Sequence, residues 1–566
     1  MARAAYTQLH GHFHHPSGPR GLWANRTALT CAIFASIGGL TFGYDQGVIA
    51  NVLVMRDFVG RWPIGPWEKG MMTAVLELGA LLGALAAGVL ADRYSRRHTI
   101  LLASVIFVIG SAIQTLSQSI PHLITGRAIG GIGVGALSML SPLYMAEISP
   151  PEVRGSLIAL EQLAIVSGVV FGFWFGFGTR NMDGSISWRL PLGIQLIPGI
   201  ILGLGCLFLP PSPRLLVLQG KLEDAKKSLA YLRQRDADDP VLREELLSMR
   251  LEALLLSRTS SETPAKSTSI VSAWSVLFSK KYLRRTMIGV GMMFFQQWSA
   301  INALLYYGPT LVESIGLGAP TSGSGPSTSM PADEGGDKAG SPTNLLVSGG
   351  IGIVQLVAVL PAIVFIDRLG RRALLRGGSV VMGCAHFAIA FLIYQFSSDW
   401  EHHQAGAWAA VVCIYIFTLA YGLSFGPVGW VLPSEVFPLE VRSKGVALST
   451  ASNWTNNFII GLITPPLMAY SPAITFITFS TTCFLAYLWA SRCVPETAGR
   501  SLEEIGRLFG DGGGVLYHGV DSSQFGPIEV RGEERDGLLH RGSGGRRDMR
   551  SMIEAELRAE MGLDGA

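Results

Sequence analysis

Charge is scarce in this chain. Of its 566 residues, 15% are Asp, Glu, Lys or Arg and 49% are apolar, and the mean hydropathy is positive. A soluble chain of this length would fold into several domains, each needing a charged surface. The charge here cannot cover them, and the composition is that of a membrane protein. Cysteine is scarce as well. Cys31, Cys206, Cys384, Cys413, Cys483 and Cys493 lie in or beside apolar runs. They show neither metal-ligand spacing nor a secreted disulfide framework and read as small core residues. A net charge of only +3 provides no basic face for nucleic acid. No nucleophile–base set, metal cluster or phosphate loop stands out, so the chain reads as a non-enzyme without a cofactor. The segment through Trp23 lacks the charged start and short apolar core of a cleaved signal peptide. Its His10, His12, His14 and His15 read as part of a solvated tail, not a metal site.

Long apolar runs, by contrast, are abundant. A membrane span needs about twenty such residues, and candidates lie near 28–52, 70–91, 98–117, 122–144, 156–178 and 189–209. A second set lies near 286–309, 344–366, 374–395, 407–433, 445–468 and 471–491. Lys and Arg in the loops set the direction. Fourteen fall in 210–285, with Arg93, Arg96 and Arg97 after span 2 and Arg368, Arg371, Arg372 and Arg376 after span 8. The 396–406 loop has none, and 312–342 has only Lys338. Arg56, Arg61 and Lys69 in the first loop run mildly against the trend. The balance places both termini and the central loop in the cytoplasm. The chain therefore divides into a disordered tail 1–27, a first half 28–209, a linker 210–285, a second half 286–491 and a cytoplasmic tail 492–566. The Gly/Ser/Pro/Thr-rich stretch 319–343 reads as a disordered external loop, and 221–257 carries helical patterning (Leu222, Ala225, Leu229, Leu232). The expected fold class is an all-α membrane protein with twelve transmembrane helices in two six-helix halves and short cytoplasmic linker helices.

The chain also repeats itself. Asp92-Arg93-Tyr94-Ser95-Arg96-Arg97 recurs 275 residues later as Asp367-Arg368-Leu369-Gly370-Arg371-Arg372, each copy after the second span of its half. Glu147 to Arg154 recurs 288 residues later as Glu435 to Arg442, each after the fourth span. Pro210 to Arg214 after span 6 has its counterpart in Pro495 to Arg500 after span 12. Two parallel six-span halves suit a rocking carrier with its site between them and not an enzyme. The repeated charges Asp92, Arg93, Arg96, Arg97, Glu147, Arg154, Asp367, Arg368, Arg371, Arg372, Glu435 and Arg442 all fall at cytoplasmic helix ends. One reading is a latch that pairs them across the halves when that side is closed; the other is plain anchoring of the loops.

Further motifs carry a family resemblance. They are Gly88-x-x-x-Asp92-Arg93 with Arg96-Arg97, Gly126-Arg127 leading to Pro142, Tyr144, Glu147 and Arg154, and Trp188-Arg189. They continue with Gln296-Gln297, Asn302 and Tyr306-Tyr307, with Gly426-Pro427 and Trp430, and with Pro495-Glu496-Thr497 and Gly499-Arg500. Over roughly 28–506 the chain resembles the sugar porters of the major facilitator superfamily, especially fungal hexose-type proton symporters. Four positions depart from the pattern: Ser95 for Gly, Pro211 for Glu, Ala300 for Gly, and Gly422 where many hexose carriers have Glu.

The resemblance implies a major facilitator fold and proton-coupled uptake of a sugar, a hexose first, by alternating access across the plasma membrane. A facilitative sugar or polyol uniporter and a non-transporting sugar sensor are the alternatives. The partners are a neutral sugar or polyol, protons and the bilayer, and the chain is expected to work as a monomer. Asp45, in span 1, corresponds to the proton-coupling acid of those symporters and Arg127 to the residue that modulates it. By sequence depth both fall in the outer half of the bilayer, within reach of each other; a static ion pair is the competing reading. The substrate-binding positions carry over to Gln162, Gln296, Gln297, Asn302, Gln355, Trp430 and Asn453. Amides donate and accept, as sugar hydroxyls do, and Trp430 can stack on the apolar face of a pyranose. Interhelical hydrogen bonding is the alternative role for each amide. Gln297 and Asn302 are about 140° apart on an ideal helix, so both can face one site only if span 7 bends. Tyr306 and Tyr307 are the expected outer gate, or else part of an interfacial aromatic belt. Glu161, a second acid in the membrane, has three open roles: proton coupling, ligand binding or pairing with an Arg.

Overall fold

A computed structural model describes residues 19–262, 274–314 and 342–500, short gaps at 53–54, 63–65, 398–399, 401 and 439 apart, together with 505–506 and 509. The histidine-rich tail, most of the 319–343 loop and the segment at 549–562 lie outside the described residues.

The described chain is helical, and twelve spans follow one another. Those of the first half are Arg26–Val52, Pro66–Arg93, Arg96–Thr115, Ile120–Ile148, Arg154–Thr179 and Ile186–Phe208. In the second half, span 7 is Leu283–Trp298 continued by Ile301–Ser314. Spans 8 to 12 are Pro342–Leu369, Arg371–Phe396, Gln404–Val436, Arg442–Tyr470 and Pro472–Arg492. Helix starts are written locally. Ser119 and Ser471 cap spans 4 and 12, each with a proline in the first turn, where a missing N–H costs nothing.

Ten of these helices are long and apolar enough to cross a membrane by composition alone. Spans 7 and 11 fall short for physical reasons. Span 7 is broken at Ala300, whose φ is 81°, leaving pieces of 16 and 14 residues. Span 11 is continuous, but buries Ser443, Ser449, Thr450, Asn453, Asn456 and Asn457. Polar groups inside a membrane mark the functional interior, and these two spans supply much of it. Of the ten, spans 3, 6, 9 and 12 are the least buried. They expose Leu102, Val105 and Ile109, or Phe387 and Phe391, as an apolar outer face, which suits lipid.

Span 1 and span 5 touch backbone to backbone. Gly39, Gly43 and Gly47 on one face Gly168, Gly172 and Gly176 on the other, all at four-residue spacing. A Cβ on Gly43 would stand 1.8 Å from the Ile165 carbonyl oxygen, and one on Gly172 would stand 2.4 Å from that of Tyr44. In lipid, where apolar burial does not drive association, such close packing holds helices together.

The linker forms helices Pro213–Leu218, Leu222–Arg233 and Pro240–Glu262. Leu216, Ala225, Leu229, Leu242, Leu246 and Met249 pack into their own apolar cluster. Arg233 ties it to the membrane part by donating to the Ile148 carbonyl at 2.9 Å while pairing with Glu245.

Candidate functional site

The polar interior centres on the break in span 7. A positive φ at Ala300 interrupts the helix and turns the chain so that Gln297 and Asn302 meet. Asn302 Nδ2 donates to Gln297 Oε1 at 2.6 Å and to Asn457 Oδ1 at 2.8 Å. The carbonyls released by the break are taken by neighbouring spans. Thr482 donates to Trp298 O at 2.7 Å, and buried His386 donates through Nε2 to Ser299 O at 3.0 Å. Irregular backbone at membrane depth survives only with such partners.

A cavity opens beside this break. All seven amide and tryptophan positions singled out above line it: Gln162, Gln296, Gln297, Asn302, Gln355, Trp430 and Asn453. The first comes from the first half, the other six from the second. Six of them are hydrogen-bonded in three pairs, Asn302 with Gln297 being the first. Asn453 Nδ2 donates to Gln296 Oε1 at 2.7 Å, and Gln296 Nε2 donates to the Phe425 carbonyl at 3.0 Å. Trp430 Nε1 donates to Gln162 Oε1 at 3.0 Å, joining the halves. Gln355 Oε1 and Asn453 Oδ1 remain buried without partners, two acceptors ready for hydroxyl donors. Phe42, Ile165, Val166, Val169, Ile301 and Leu305 give the cavity apolar walls. Amides along apolar walls match a neutral solute with both hydroxyls and C–H faces.

Two polar lining residues escaped the sequence reading, Gln46 and Tyr421. Gln46 follows Asp45 directly, and only helix rotation decides which of the two faces the cavity. Gly422 has a packing reason. A Cβ there would lie 2.7 Å from that of Ala358 and 3.2 Å from the Gln355 carbonyl oxygen, so span 10 closes on span 8 with no room for a longer side chain.

Asp45 and Arg127 are both buried, with Arg127 Nη2 3.3 Å from Asp45 Oδ2. The contact is electrostatic, since neither Asp45 oxygen completes a hydrogen bond. Arg127 is held from the other side, donating through Nε to the Met72 carbonyl at 2.7 Å. Glu161 is fully buried, with no hydrogen-bond partner on either oxygen, against the backbone of Gly39. Of its three open roles, pairing with an Arg has no counterpart among the described residues.

At the end away from the arginine loops, Tyr306 bridges the halves. Its hydroxyl accepts from Gln46 Nε2 at 2.7 Å and Asn457 Nδ2 at 3.1 Å, and donates to Glu77 Oε1 at 2.9 Å. Tyr307 donates to the Gly461 carbonyl at 2.7 Å.

At the arginine end the strong ion pairs form inside each half and not across them. Arg96 Nη2 meets Glu147 Oε1 at 2.9 Å, and Arg371 Nη2 meets Glu435 Oε1 at 2.8 Å. The crossing is made by carboxylates at helix starts, by Arg96 Nη2 donating to Ser443 Oγ at 3.0 Å, and by Lys444, which lies 3.9 Å from Asp92. Asp92 accepts from Ser443 Oγ at 2.6 Å, at the start of span 11. Asp367 accepts from Ser156 N and Oγ, both at 2.7 Å, at the start of span 5. An anion at a helix N-terminus is favoured by the unpaired N–H groups and the helix dipole. Arg154 and Arg442 head those two helices and are buried, and Arg154 Nη1 reaches the Arg500 carbonyl at 3.4 Å. Among the described residues, Arg93, Arg97 and Arg372 make their contacts within their own half. Arg93 stacks on Tyr94, Arg97 donates to the Leu209 carbonyl, Arg372 donates to the Ser491 carbonyl, and Arg368 is exposed.

Comparison with known proteins agrees with this geometry. The family model for "Sugar (and other) transporter" matches residues 31–509. A curated relative, "MFS glucose transporter mfs1" of Aspergillus flavus, is 30% identical over 507 residues, covering 85% of this chain and 89% of its own. "Probable polyol transporter 6" of Arabidopsis thaliana is 32% identical over 519 residues, covering 87% and 96%. Among solved structures, the proton:xylose symporter XylE bound to 6-bromo-6-deoxy-D-glucose superposes with a TM-score of 0.71. It is 26% identical, with 86% of this chain and 100% of that one covered.

Proposed function

The chain belongs to the sugar porters of the major facilitator superfamily, and from that premise we propose that it takes up a sugar, a hexose first, together with a proton across the plasma membrane. The carrying observation is the cavity of seven amide and tryptophan side chains from both halves, with the buried Asp45–Arg127 pair beside its wall-forming first span. In this reading the termini and linker are cytoplasmic, and the chain acts as a monomer. The halves 28–209 and 286–491 rock about the cavity.

Each element then has a task. Gln162, Gln296, Gln297, Asn302 and Asn453 exchange their mutual hydrogen bonds for bonds to sugar hydroxyls, Gln355 accepts from another hydroxyl through its unpartnered Oε1, and the Trp430 ring covers the apolar face of the sugar. Asp45 takes a proton from outside; its attraction to Arg127 falls away while the proton stays bound. Release inside restores the pair and resets the carrier. Tyr306 and Tyr307 close the outer side. Asp92 and Asp367, seated on the starts of spans 11 and 5, close the inner side, and the Arg96–Glu147 and Arg371–Glu435 pairs stiffen the loops that carry them.

Uptake of labelled sugars into cells lacking their own hexose carriers, with and without a protonophore, tests this. Accumulation that the protonophore abolishes is the expected result. Absence of uptake of any hexose, pentose, disaccharide or polyol removes the transport reading. Uptake indifferent to pH and protonophore leaves facilitated diffusion.

A further inference from the structure

Glu77 is a third acid within the membrane, on span 2, and no role above uses its charge. It is buried, yet it sits on the line where the halves meet. Among the described residues, its one hydrogen bond comes from Tyr306 of span 7. A phenol has one proton and two lone pairs. Gln46 and Asn457 occupy both lone pairs of Tyr306, so its single proton is committed to Glu77 Oε1. Glu77 Oε2 is buried without a partner.

The groups facing this carboxyl come from four spans. Arg127 of span 4 lies within electrostatic reach of both Glu77 and Asp45. Tyr306 of span 7 meets it with its hydroxyl, and Tyr307 of the same span lies within reach of its charge. From span 1 Gln46 approaches through Tyr306, and from span 11 come Asn457 and Gly461, all three uncharged. One cation therefore serves two acids: one in span 1 beside the sugar cavity, the other on the outer closure.

We infer that Glu77 is a proton-exchanging gate residue that links external acidity to the opening of the outer side through Tyr306. Ionised, Glu77 holds Tyr306 by a charge-assisted hydrogen bond, roughly twice as strong as a neutral one, and keeps spans 2 and 7 together. A proton from external water binds the free Oε2 and cancels the charge. The Tyr306 bond drops to the neutral strength, Arg127 is left to Asp45 alone, and the outer side opens. When that proton returns to external water, the gate closes again. Glu77 acts through Tyr306 and not on the sugar, so it is a positioning residue. This inference rests on the proton-symport reading.

The test uses the full chain in carrier-deficient cells, on whichever of labelled D-glucose, D-xylose and D-mannitol the wild type carries. The external KM is followed from about pH 5 to about pH 8, together with protonophore sensitivity. Wild-type KM is expected to rise about tenfold or more across that range. In Glu77→Gln it should change by less than about twofold and stay near the wild-type acid value. Tyr306→Phe, which keeps the carboxyl but removes its bond, should flatten the profile in the same way, and Glu77→Asp should restore part of the slope. A wild-type slope retained in Glu77→Gln, or in Tyr306→Phe, overturns the inference. If Glu77→Gln fails to reach the membrane, Tyr306→Phe decides alone. A wild type indifferent to both pH and protonophore removes the symport reading itself; a wild type that responds, with unchanged variants, removes only Glu77.

Discussion

Asn302 and Gln297 are joined by a 2.6 Å hydrogen bond within one span, although five helical residues would turn them about 140° apart. Ala300 between them, at a φ of 81°, makes the bond possible. An alanine held in that region carries about 1–2 kcal/mol of strain, and the side chain is buried.

Ala300→Gly relieves that strain and gives back part of it as unfolded-state entropy, for a net gain of about 0.5–1 kcal/mol. A higher thermal midpoint in detergent, with uptake retained, is the expected outcome. Ala300→Val adds a β-branched side chain where the backbone disfavours one, and should cost about 2 kcal/mol or more, lowering both midpoint and uptake. A stabilised Ala300→Val would show that the break does not depend on this residue.

The span pattern and its duplication were legible because apolar runs and basic loops are one-dimensional signals. So were the seven cavity positions, which stand at matching places in a known motif set, and the bend in span 7, required by the angle between Gln297 and Asn302. What was hidden depends on helix rotation and on partners. Glu77 lies in Leu76-Glu77-Leu78, a context that does not show which way the carboxyl points. Asn457 follows Asn453 by about one turn, on the same face, yet its bond to Tyr306 crosses to another span. The charged loops presented the same difficulty. Spacing alone does not tell whether Arg96 bonds in its own half or across, and the structure has it do both, pairing with Glu147 and donating to Ser443 of span 11. The role of Asp92 emerges only when the start of span 11 is seen above it.

Asp45→Asn keeps the shape of span 1 and removes the exchangeable charge. Accumulation against a gradient should be lost, while exchange of labelled for unlabelled sugar persists. Because the substitution leaves buried Arg127 with only the more distant Glu77 as counter-charge, stability should fall by about 3–5 kcal/mol at most. Arg127 is also held by the Met72 carbonyl, which moderates that cost. Comparing accumulation with exchange in one preparation checks the claim; unchanged accumulation takes Asp45 out of the coupling step.

Two departures from the family pattern explain each other. In the second half, Glu496 accepts from Arg371 N at 2.9 Å and Arg372 N at 3.1 Å, at the start of span 9. A Cβ on Gly370 would lie 2.5 Å from that carboxylate, and the φ there is 85°. In the first half Pro211 takes the place of the acid, and Ser95 takes that of the glycine and caps span 3 by accepting from His98 N at 3.3 Å. Gly370→Ser should therefore cost about 1–3 kcal/mol, although serine is native at the equivalent position. Ser95→Ala should cost about 1 kcal/mol through the lost cap. Thermal unfolding of both variants measures the asymmetry, and equal tolerance of serine in the two halves would contradict it.

Trp430 of span 10 donates to Gln162 of span 5 at 3.0 Å, so this bond must change whenever the halves move apart. Trp430→Phe keeps an aromatic face for the sugar and removes the donor. Losing one hydrogen bond of about 0.5–1.5 kcal/mol should raise KM by roughly twofold to tenfold. Trp430→Ala removes the face as well and should raise KM further. A double-mutant cycle with Gln162→Ala separates two states of the site. If the Trp430–Gln162 bond survives with sugar bound, the two substitutions couple by about 0.5 kcal/mol or more. If sugar hydroxyls take over both side chains, each residue loses its own contact to the sugar and the effects on KM add. The exchange of mutual bonds for sugar bonds predicts the additive result, and strong coupling in KM would mean that Trp430 and Gln162 brace the halves without touching the sugar.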